Sequence, residues 1–399
     1  MRRKRKKKHV VLKTIGIILA FLIVACAVIV LNAIIPRNMG NPYSTLVPGV
    51  NMKKSVSSIE RVDEAGTLYT MEYDGNYDSA LVKLPIVKLG FLKETGCSAF
   101  FTYDEDGDAL LFRNYDLAHT DDRGEITGLN VLVRCAPEGG YRSVCISDAM
   151  WFSMIGLNYK AGVLDDGKTN LTPLALIPYL CMDGMNEKGL TMSILSVDIK
   201  DGEEATNQQF PGRNTMVYPV FMRRALDTCA SVDEAVKLAE NTNFVNNFGY
   251  DYHVFMTDAS GKSAVVECRY NEMKVTYTDA VTNCYVGFDD AEDCYWGDEL
   301  KEKNPGKAET SRDYHMGYGH GYERLNQIIL FLDEHLSEDG NTVKAGKRDA
   351  LDTLKKVSQD YTGEMTSYTQ YSVIYDSTNL TAEIYPNADL SRGFSFSVN

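Results

Sequence analysis

The residue types with the most chemistry in them lie between positions 96 and 116. Gly96-Cys97-Ser98 opens a β-rich run to Tyr103, Asp104 to Gly107 follow, and a second run leads from Ala109 through Arg113 to Asp116. Asp106-Gly107 is the pair that a two-residue type I′ hairpin turn demands, because both central positions need positive φ. With that turn Glu105 pairs with Asp108, and Cys97 falls opposite Asp116. A thiol at the head of one strand then meets a carboxylate at the end of the next. Strict alternation puts Arg113 on the face opposite Asp116, so bringing both to Cys97 predicts a bulge or a strand end near Asn114 and Tyr115. A guanidinium beside the sulfur favours the thiolate, which is the nucleophilic form. A strand-end ion pair without chemistry accounts for Arg113 and Asp116 equally well.

Other chemistries find no support. There is no G-x-S-x-G elbow, no H-E-x-x-H and no Walker or dinucleotide loop; Gly317, Gly319 and Gly321 lack the required spacing and follow no strand. No CxxC pair suggests structural zinc, and His315 and His320 sit in a glycine-rich loop with no carboxylate at ligand spacing. Neither metal nor cofactor is expected. Nine cysteines in 399 residues is not the density of a disulfide scaffold. Cys135 and Cys145 flank residues 136–140 in a hairpin pattern, where a bridge is the less favoured alternative because cross-strand geometry is restrictive. Cys181, Cys229 and Cys268 sit among apolar neighbours, as core thiols do.

The elements that would position Cys97 are mostly strands. Tyr252–Thr257, Ser263–Cys268 and Met273–Thr278, joined by turns at residues 258–261 and near Asn271, read as a meander. Ser231 and Glu234 form a capping box that opens a helix over Val232–Glu240. One-sided apolar spacing predicts two more helices, at Tyr322–Leu336 and Asp349–Val357. Helices on the outer faces of mostly antiparallel sheets make an α+β layered domain. No fixed-period repeat is present.

Charge is unevenly spread. Nine of the 41 Lys and Arg, and no Asp or Glu, fall in the first 40 residues. Residues 41–399 therefore hold 32 basic and 55 acidic side chains, a net charge of −23. A body that acidic repels phosphate backbones and disfavours nucleic acid as a partner. Residues 15–35 are apolar apart from Gly16 and Asn32, long enough to span a bilayer core of about 30 Å as a helix. The run of seven basic residues at 2–8 before it is expected to keep the amino terminus cytoplasmic and put the body outside. The run is too long for the apolar region of a cleaved signal peptide. It continues apolar beyond Cys26, where a lipoprotein would turn polar.

Read together, Gly96-Cys97-Ser98, the run from Phe112 to Asp116, Met185-Asn186-Glu187-Lys188-Gly189-Leu190, residues 231–245, the meander, Val281-Thr282-Asn283, Tyr322 to Leu325 and Tyr368 to Val373 resemble the choloylglycine hydrolase family. This is the cysteine branch of the N-terminal nucleophile hydrolases, to which bile salt hydrolases and penicillin V acylases belong. The resemblance spans residues 97–399. It implies a four-layer αββα sandwich, here preceded by one transmembrane helix. It also implies that Cys97 becomes the amino terminus of the mature enzyme and attacks a linear amide carbonyl, its own α-amine serving as general base. Asp116 would hold that amine and Arg113 would sit beside the thiolate. The Asn283 amide and a backbone N–H near Ser196 would form the oxyanion hole, and Arg324 matches an arginine placed near the nucleophile.

This sequence departs from the family in carrying Phe112 where a small residue is usual, which could crowd the sulfur, and in placing 96 residues before Cys97. While Gly96 acylates Cys97 its nitrogen is no base, so cleavage of Gly96–Cys97 is expected to precede activity. The resulting layout is a basic segment at 1–14, a membrane anchor at 15–35, a tether at 36–58, a propeptide packed on the enzyme at 59–96 and a catalytic domain at 97–399. The expected partners are a small-molecule N-acyl amide and the membrane, with a homo-oligomer left open. Acyl transfer to another amine, and a non-catalytic binding module of the same fold, are the competing functions. The aromatic and methionine side chains at Met150, Trp151, Phe152 and Met154 and at residues 314–322 are candidates for an acyl pocket or for ordinary core.

Overall fold

The structure is a computed structural model and describes residues 49–75, 95–117, 128–155, 157–197, 204–246, 251–269, 271–288, 319–338, 340, 342–359 and 368–399. The membrane span expected at 15–35 lies outside these residues. Among those described, no helix is long and apolar enough to cross a membrane.

Two sheets face each other. The larger runs, in both space and sequence, through Glu60–Arg61, Leu68–Tyr73, Asn130–Cys135, Ser143–Asp148, Cys181–Asn186, Thr191–Val197, Asp251–Thr257, Ser263–Arg269 and Glu272–Thr276. It is antiparallel apart from the pairing of Leu68–Tyr73 with Asn130–Cys135. The smaller is ordered Ala280–Val281, Thr95–Tyr103, Ala109–Leu117, Tyr368–Asp376, Thr381–Pro386, Phe394–Ser397.

Apolar alternation decides the layers. Leu132, Ile146, Leu195 and Val265 of the larger sheet meet Ala99, Leu111, Val373 and Ile384 of the smaller in one buried cluster between them. The opposite face of the larger sheet, with Val131, Val254 and Val266, packs on the helices Tyr218–Thr228 and Val232–Glu240 and the 3-10 helix Thr172–Leu180. Phe100, Leu110 and Phe112, on the outer face of the smaller sheet, pack on Tyr322–Glu334 and Lys347–Lys356. The molecule is a mixed α/β sandwich with helices outside and sheets within.

The meander and the helix Val232–Glu240 form as expected, the Ser231 hydroxyl accepting from the Glu234 backbone N–H. The Glu234 carboxylate reaches the Ala230 N–H at 2.7 Å, one residue earlier than a capping box requires. Tyr218–Thr228 was not expected because nearly all of its residues are buried, Arg223 and Asp227 included, so no one-sided stripe marks it. The tether expected to run to Ser58 ends early: Met52–Ser57 is a helix, capped by the Asn51 side chain, with Met52 and Ser55 buried. Cys135 and Cys145 are both free thiols. Cys145 pairs with Val133 and Cys135 with Ser143, so the two are diagonal and not opposed.

Candidate active site

Strand register sets out the site. Thr95–Tyr103 pairs with Ala109–Leu117 so that Gly96 lies opposite Asp116 and Cys97 opposite Tyr115, one residue away from the expected pairing. The expected two-residue turn is replaced by a loop from Asp104 to Asp108. The Asp104 carboxylate accepts from the backbone N–H groups of Asp106 (3.0 Å) and Asp108 (2.8 Å). Gly107 takes a φ of +91°, whereas Asp106 does not adopt the positive φ that a type I′ turn would require. Local Asx bonding outcompetes the tight turn.

The one-residue shift exchanges faces. Cys97, Ala99, Arg113 and Tyr115 now share the inter-sheet side, so Arg113 reaches the sulfur with no bulge in its own strand: Nη2 is 3.9 Å from Sγ. The ladder is irregular one strand further on, between Thr369 and Tyr371. Phe112 turns to the other side, stacked on Phe100 at 5.0 Å within the helix-facing core, and does not crowd the thiol.

Arg113 is fully buried and held from the larger sheet. Its Nε lies 2.8 Å from Asp183 Oδ2, and the same carboxylate accepts from the hydroxyls of Tyr371 (2.5 Å) and Tyr375 (2.6 Å). Burial pushes the Asp183 carboxyl up, opposed first by Arg113 and then by the two tyrosines. A guanidinium and two hydroxyl donors converging on one carboxylate suit its ionised form. The Cys97 thiol is also pushed above its ordinary value, because burial outweighs the pull of Arg113 and the smaller pull of Arg324. In the continuous chain Arg113 offsets the cost of a thiolate without overcoming it.

The backbone of Cys97 is served from the other direction. Its N–H donates to Asn283 Oδ1 at 2.7 Å, and its carbonyl accepts from Arg324 Nη1 at 2.5 Å. Arg324 Nη2 also donates to Asn283 Oδ1, at 2.9 Å. The Asn283 Nδ2 group donates to the Ser196 carbonyl (2.8 Å) and hydroxyl (3.2 Å), so donors on one side and acceptors on the other fix which way the amide points. Asp116 accepts from the Thr369 hydroxyl at 2.6 Å and lies 3.8 Å from Arg324 Nη1. Gly321, at φ +86°, opens the helix that carries Arg324; the positive φ favours glycine, and a Cβ there would lie 2.6 Å from the Arg324 guanidinium and displace it.

Cys97, Arg113, Asp116, Ser196, Asn283 and Arg324 therefore meet in one place, around the unbroken Gly96–Cys97 bond. The partners differ in detail from those expected: Asp116 is engaged by Thr369 and Arg324, and the Asn283 amide by Ser196. Asp183, Thr369, Tyr371 and Tyr375 were not foreseen as part of the site. A carboxylate inside the buried strand Cys181–Asn186 and two tyrosines spaced by four on Tyr368–Asp376 were the available signals. Met150, Trp151 and Phe152 lie on a 3-10 helix, Ala149–Ile155, with Phe152 in the core. Gly319–His320 pairs with Asn283–Cys284, and the rest of the stretch 314–318 lies outside the described residues. No group of metal-ligand residues occurs among those described.

No curated protein matches this chain. Similar solved structures include a mutant and a second variant of conjugated bile acid hydrolase from Clostridium perfringens. They have TM-scores of 0.49 and 0.49 and identities of 15% and 14%, and cover 75% and 76% of this chain and 92% and 93% of theirs. Penicillin V acylase from Agrobacterium tumefaciens is similar at TM-score 0.44 and 17% identity, over 75% of this chain and 90% of that one. The family model of acyl-coenzyme A:6-aminopenicillanic acid acyl-transferase matches residues 170–389, more than half the chain and the stretch that supplies Asp183, Ser196, Asn283 and Arg324 to the cluster around Cys97. The chain belongs to the acyl-coenzyme A:6-aminopenicillanic acid acyl-transferase family.

Proposed function

We propose that this protein is a membrane-anchored, extracytoplasmic hydrolase of linear amide bonds in N-acyl compounds, activated by cleavage of its own Gly96–Cys97 bond. The observation that supports this most is the enclosure of Cys97: Arg113 beside its sulfur, Asn283 on its nitrogen and Arg324 on its carbonyl. In the first step Sγ attacks the Gly96 carbonyl, the C–N bond breaks, and the proton from the thiol goes to the Cys97 nitrogen. Water then hydrolyses the Gly96 thioester, leaving a carboxylate on Gly96 and a free amine and thiol on Cys97. In turnover the α-amine takes the thiol proton and passes it to the leaving amine of the substrate as Sγ becomes acylated; water releases the acid. Arg113 stabilises the sulfur anion, and Asn283 and the backbone near Ser196 stabilise the tetrahedral oxyanion. The latter role needs the Asn283 amide to exchange Ser196 for substrate. Asp116 holds the amine once cleavage has created it. Residues 59–73 support retention of the propeptide, because they contribute two strands to the larger sheet.

The test is intact-mass measurement of the purified full-length chain, followed by a hydrolysis screen across conjugated bile salts, penicillin V and long-chain N-acyl amino acids. Cleavage at Gly96–Cys97 with amide hydrolysis, both lost in Cys97→Ala, is expected; unchanged processing and hydrolysis in Cys97→Ala would overturn the reading. The family match favours one second reading, acyl transfer, in which an amine in place of water takes the acyl group from Cys97. Supplying 6-aminopenicillanic acid with an acyl donor distinguishes the two by the appearance of a new amide.

A further inference from the structure

A second buried polar cluster lies where the segment carrying Asn283 crosses to the larger sheet. His253 and Glu267 are directly paired on neighbouring strands, both fully buried, with His253 Nδ1 2.9 Å from Glu267 Oε2. The Glu267 carboxylate also accepts two backbone N–H groups, from Val286 at 3.2 Å and from Gly287 at 2.5 Å. The carboxylate is fully buried, so removing it leaves the buried Val286 N–H without its partner and frees Gly287 from its anchor. The approach is close enough to dictate the residue: a Cβ on Gly287 would lie 2.5 Å from Thr276 Oγ1 and 2.9 Å from Glu267 Oε1. Just before Val286 and Gly287 in the chain, the Tyr285 hydroxyl lies 3.3 Å from both Asp251 Oδ2 and the Cys268 carbonyl.

We propose that Glu267, oriented by His253, is a positioning residue that sets where Asn283 stands relative to Cys97. The inference rests on the reading of Cys97 as the nucleophile. Asn283 lies three residues before Val286, and its side chain binds Ser196 on the strand adjoining that of His253; His253 itself pairs with Leu195. Three neighbouring strands thus hold both ends of one short segment: Thr191–Val197 grips the Asn283 amide, while Asp251–Thr257 and Ser263–Arg269 supply the clamp behind it. Oδ1 of the same amide is aimed at the nitrogen of the bond to be cut. A displacement of that amide by about 1 Å is enough to cost two orders of magnitude in rate.

A double-mutant cycle on the full-length chain tests this, with the rate of Gly96–Cys97 cleavage read by intact mass. Glu267→Ala is expected to slow cleavage about 10–100-fold, the range seen when the residue orienting a functional group is lost. In an Asn283→Ala background it should add less than about 3-fold, because a residue that acts through another has nothing left to position. Equal slowing in both backgrounds, or an unchanged rate in Glu267→Ala, overturns the proposal. Glu267→Gln, which keeps one acceptor oxygen, should fall between wild type and Glu267→Ala. A second readout needs no activity and does not depend on Cys97 as nucleophile: hydrogen exchange at the amide of residue 97 in a Cys97→Ala background. There Glu267→Gln and Asn283→Ala should each accelerate exchange about 10-fold and the pair no further, while unaltered exchange in Glu267→Gln overturns the inference. Cleavage that persists in Cys97→Ala sinks the nucleophile assignment; additive slowing, with Cys97→Ala silent, sinks the Glu267 inference alone.

Discussion

The two sides of the strand Thr95–Tyr103 treat Cys97 differently. On the inter-sheet side Arg113 addresses the sulfur from a neighbouring strand, fully buried, its own position fixed by Asp183, Tyr371 and Tyr375. On the helix side Arg324 addresses the backbone carbonyl and Asn283 from the first turn of an outer helix, and lies 3.8 Å from a carboxylate oxygen of Asp116. The contrast separates two jobs that one guanidinium could not do together. In the proposed mechanism charge stabilisation at sulfur comes from the core between the sheets, and alignment of the peptide comes from a helix packed on the outer face of the smaller sheet. Strand alternation separates the surroundings of the two arginines: Tyr115 faces the other sheet with Arg113, and the next residue, Asp116, faces Arg324.

That contrast can be broken by experiment. Arg113→Ala should have the largest effect on stability, about 3–5 kcal/mol in urea unfolding, because it leaves the Asp183 carboxylate buried without its cation; a comparable loss in Arg324→Lys would erase the difference between the two sides. Phe112→Ala should also cost about 3–5 kcal/mol through its cavity. It should leave cleavage per folded molecule unchanged, since the ring faces the helices; slowed cleavage would place it in the site after all. Arg324→Lys should slow cleavage about 10–100-fold with little change in the urea midpoint, as an ammonium cannot bridge the Cys97 carbonyl and Asn283 Oδ1 as the guanidinium fork does.

Thiol alkylation followed by mass sharpens the sulfur side. Because burial holds the folded Cys97 pKa above that of the unfolded chain, less thiolate is present in the uncleaved folded protein at neutral pH, and alkylation should be slower there than in urea. The gap should narrow only as pH rises past the raised value, and Arg113→Met should widen it. Asp104→Ala should have the smallest effect, about 1 kcal/mol from loss of the loop's side-chain bonds, with the register unchanged.

Much of the site could be read from residue types in order. Cys97, Arg113 and Asp116 are legible in the hairpin pattern, Ser196, Asn283 and Arg324 only through the resemblance to the choloylglycine hydrolases, and all six converge. The register differs by one residue from that expected because Asp106-Gly107 satisfies a tight-turn pattern, while the competing bonds of Asp104 form only once the loop closes. Asp183 is not legible in the sequence for another reason: an acid within a buried strand shows its purpose only when a partner from the other sheet stands opposite it.

By itself the sequence determined which residue types were available, where apolar alternation made strands and one-sided spacing made helices, and which lone cysteine heads a strand beside an arginine. Those are local properties of the chain. Only the tertiary structure decided which face of each strand looks inward, that Arg113 reaches sulfur while Arg324 reaches the backbone, and that Asp183 and Glu267 stand behind the two sides of the site. These follow from packing one sheet on another, where a shift of a single residue exchanges every inward side chain for an outward one.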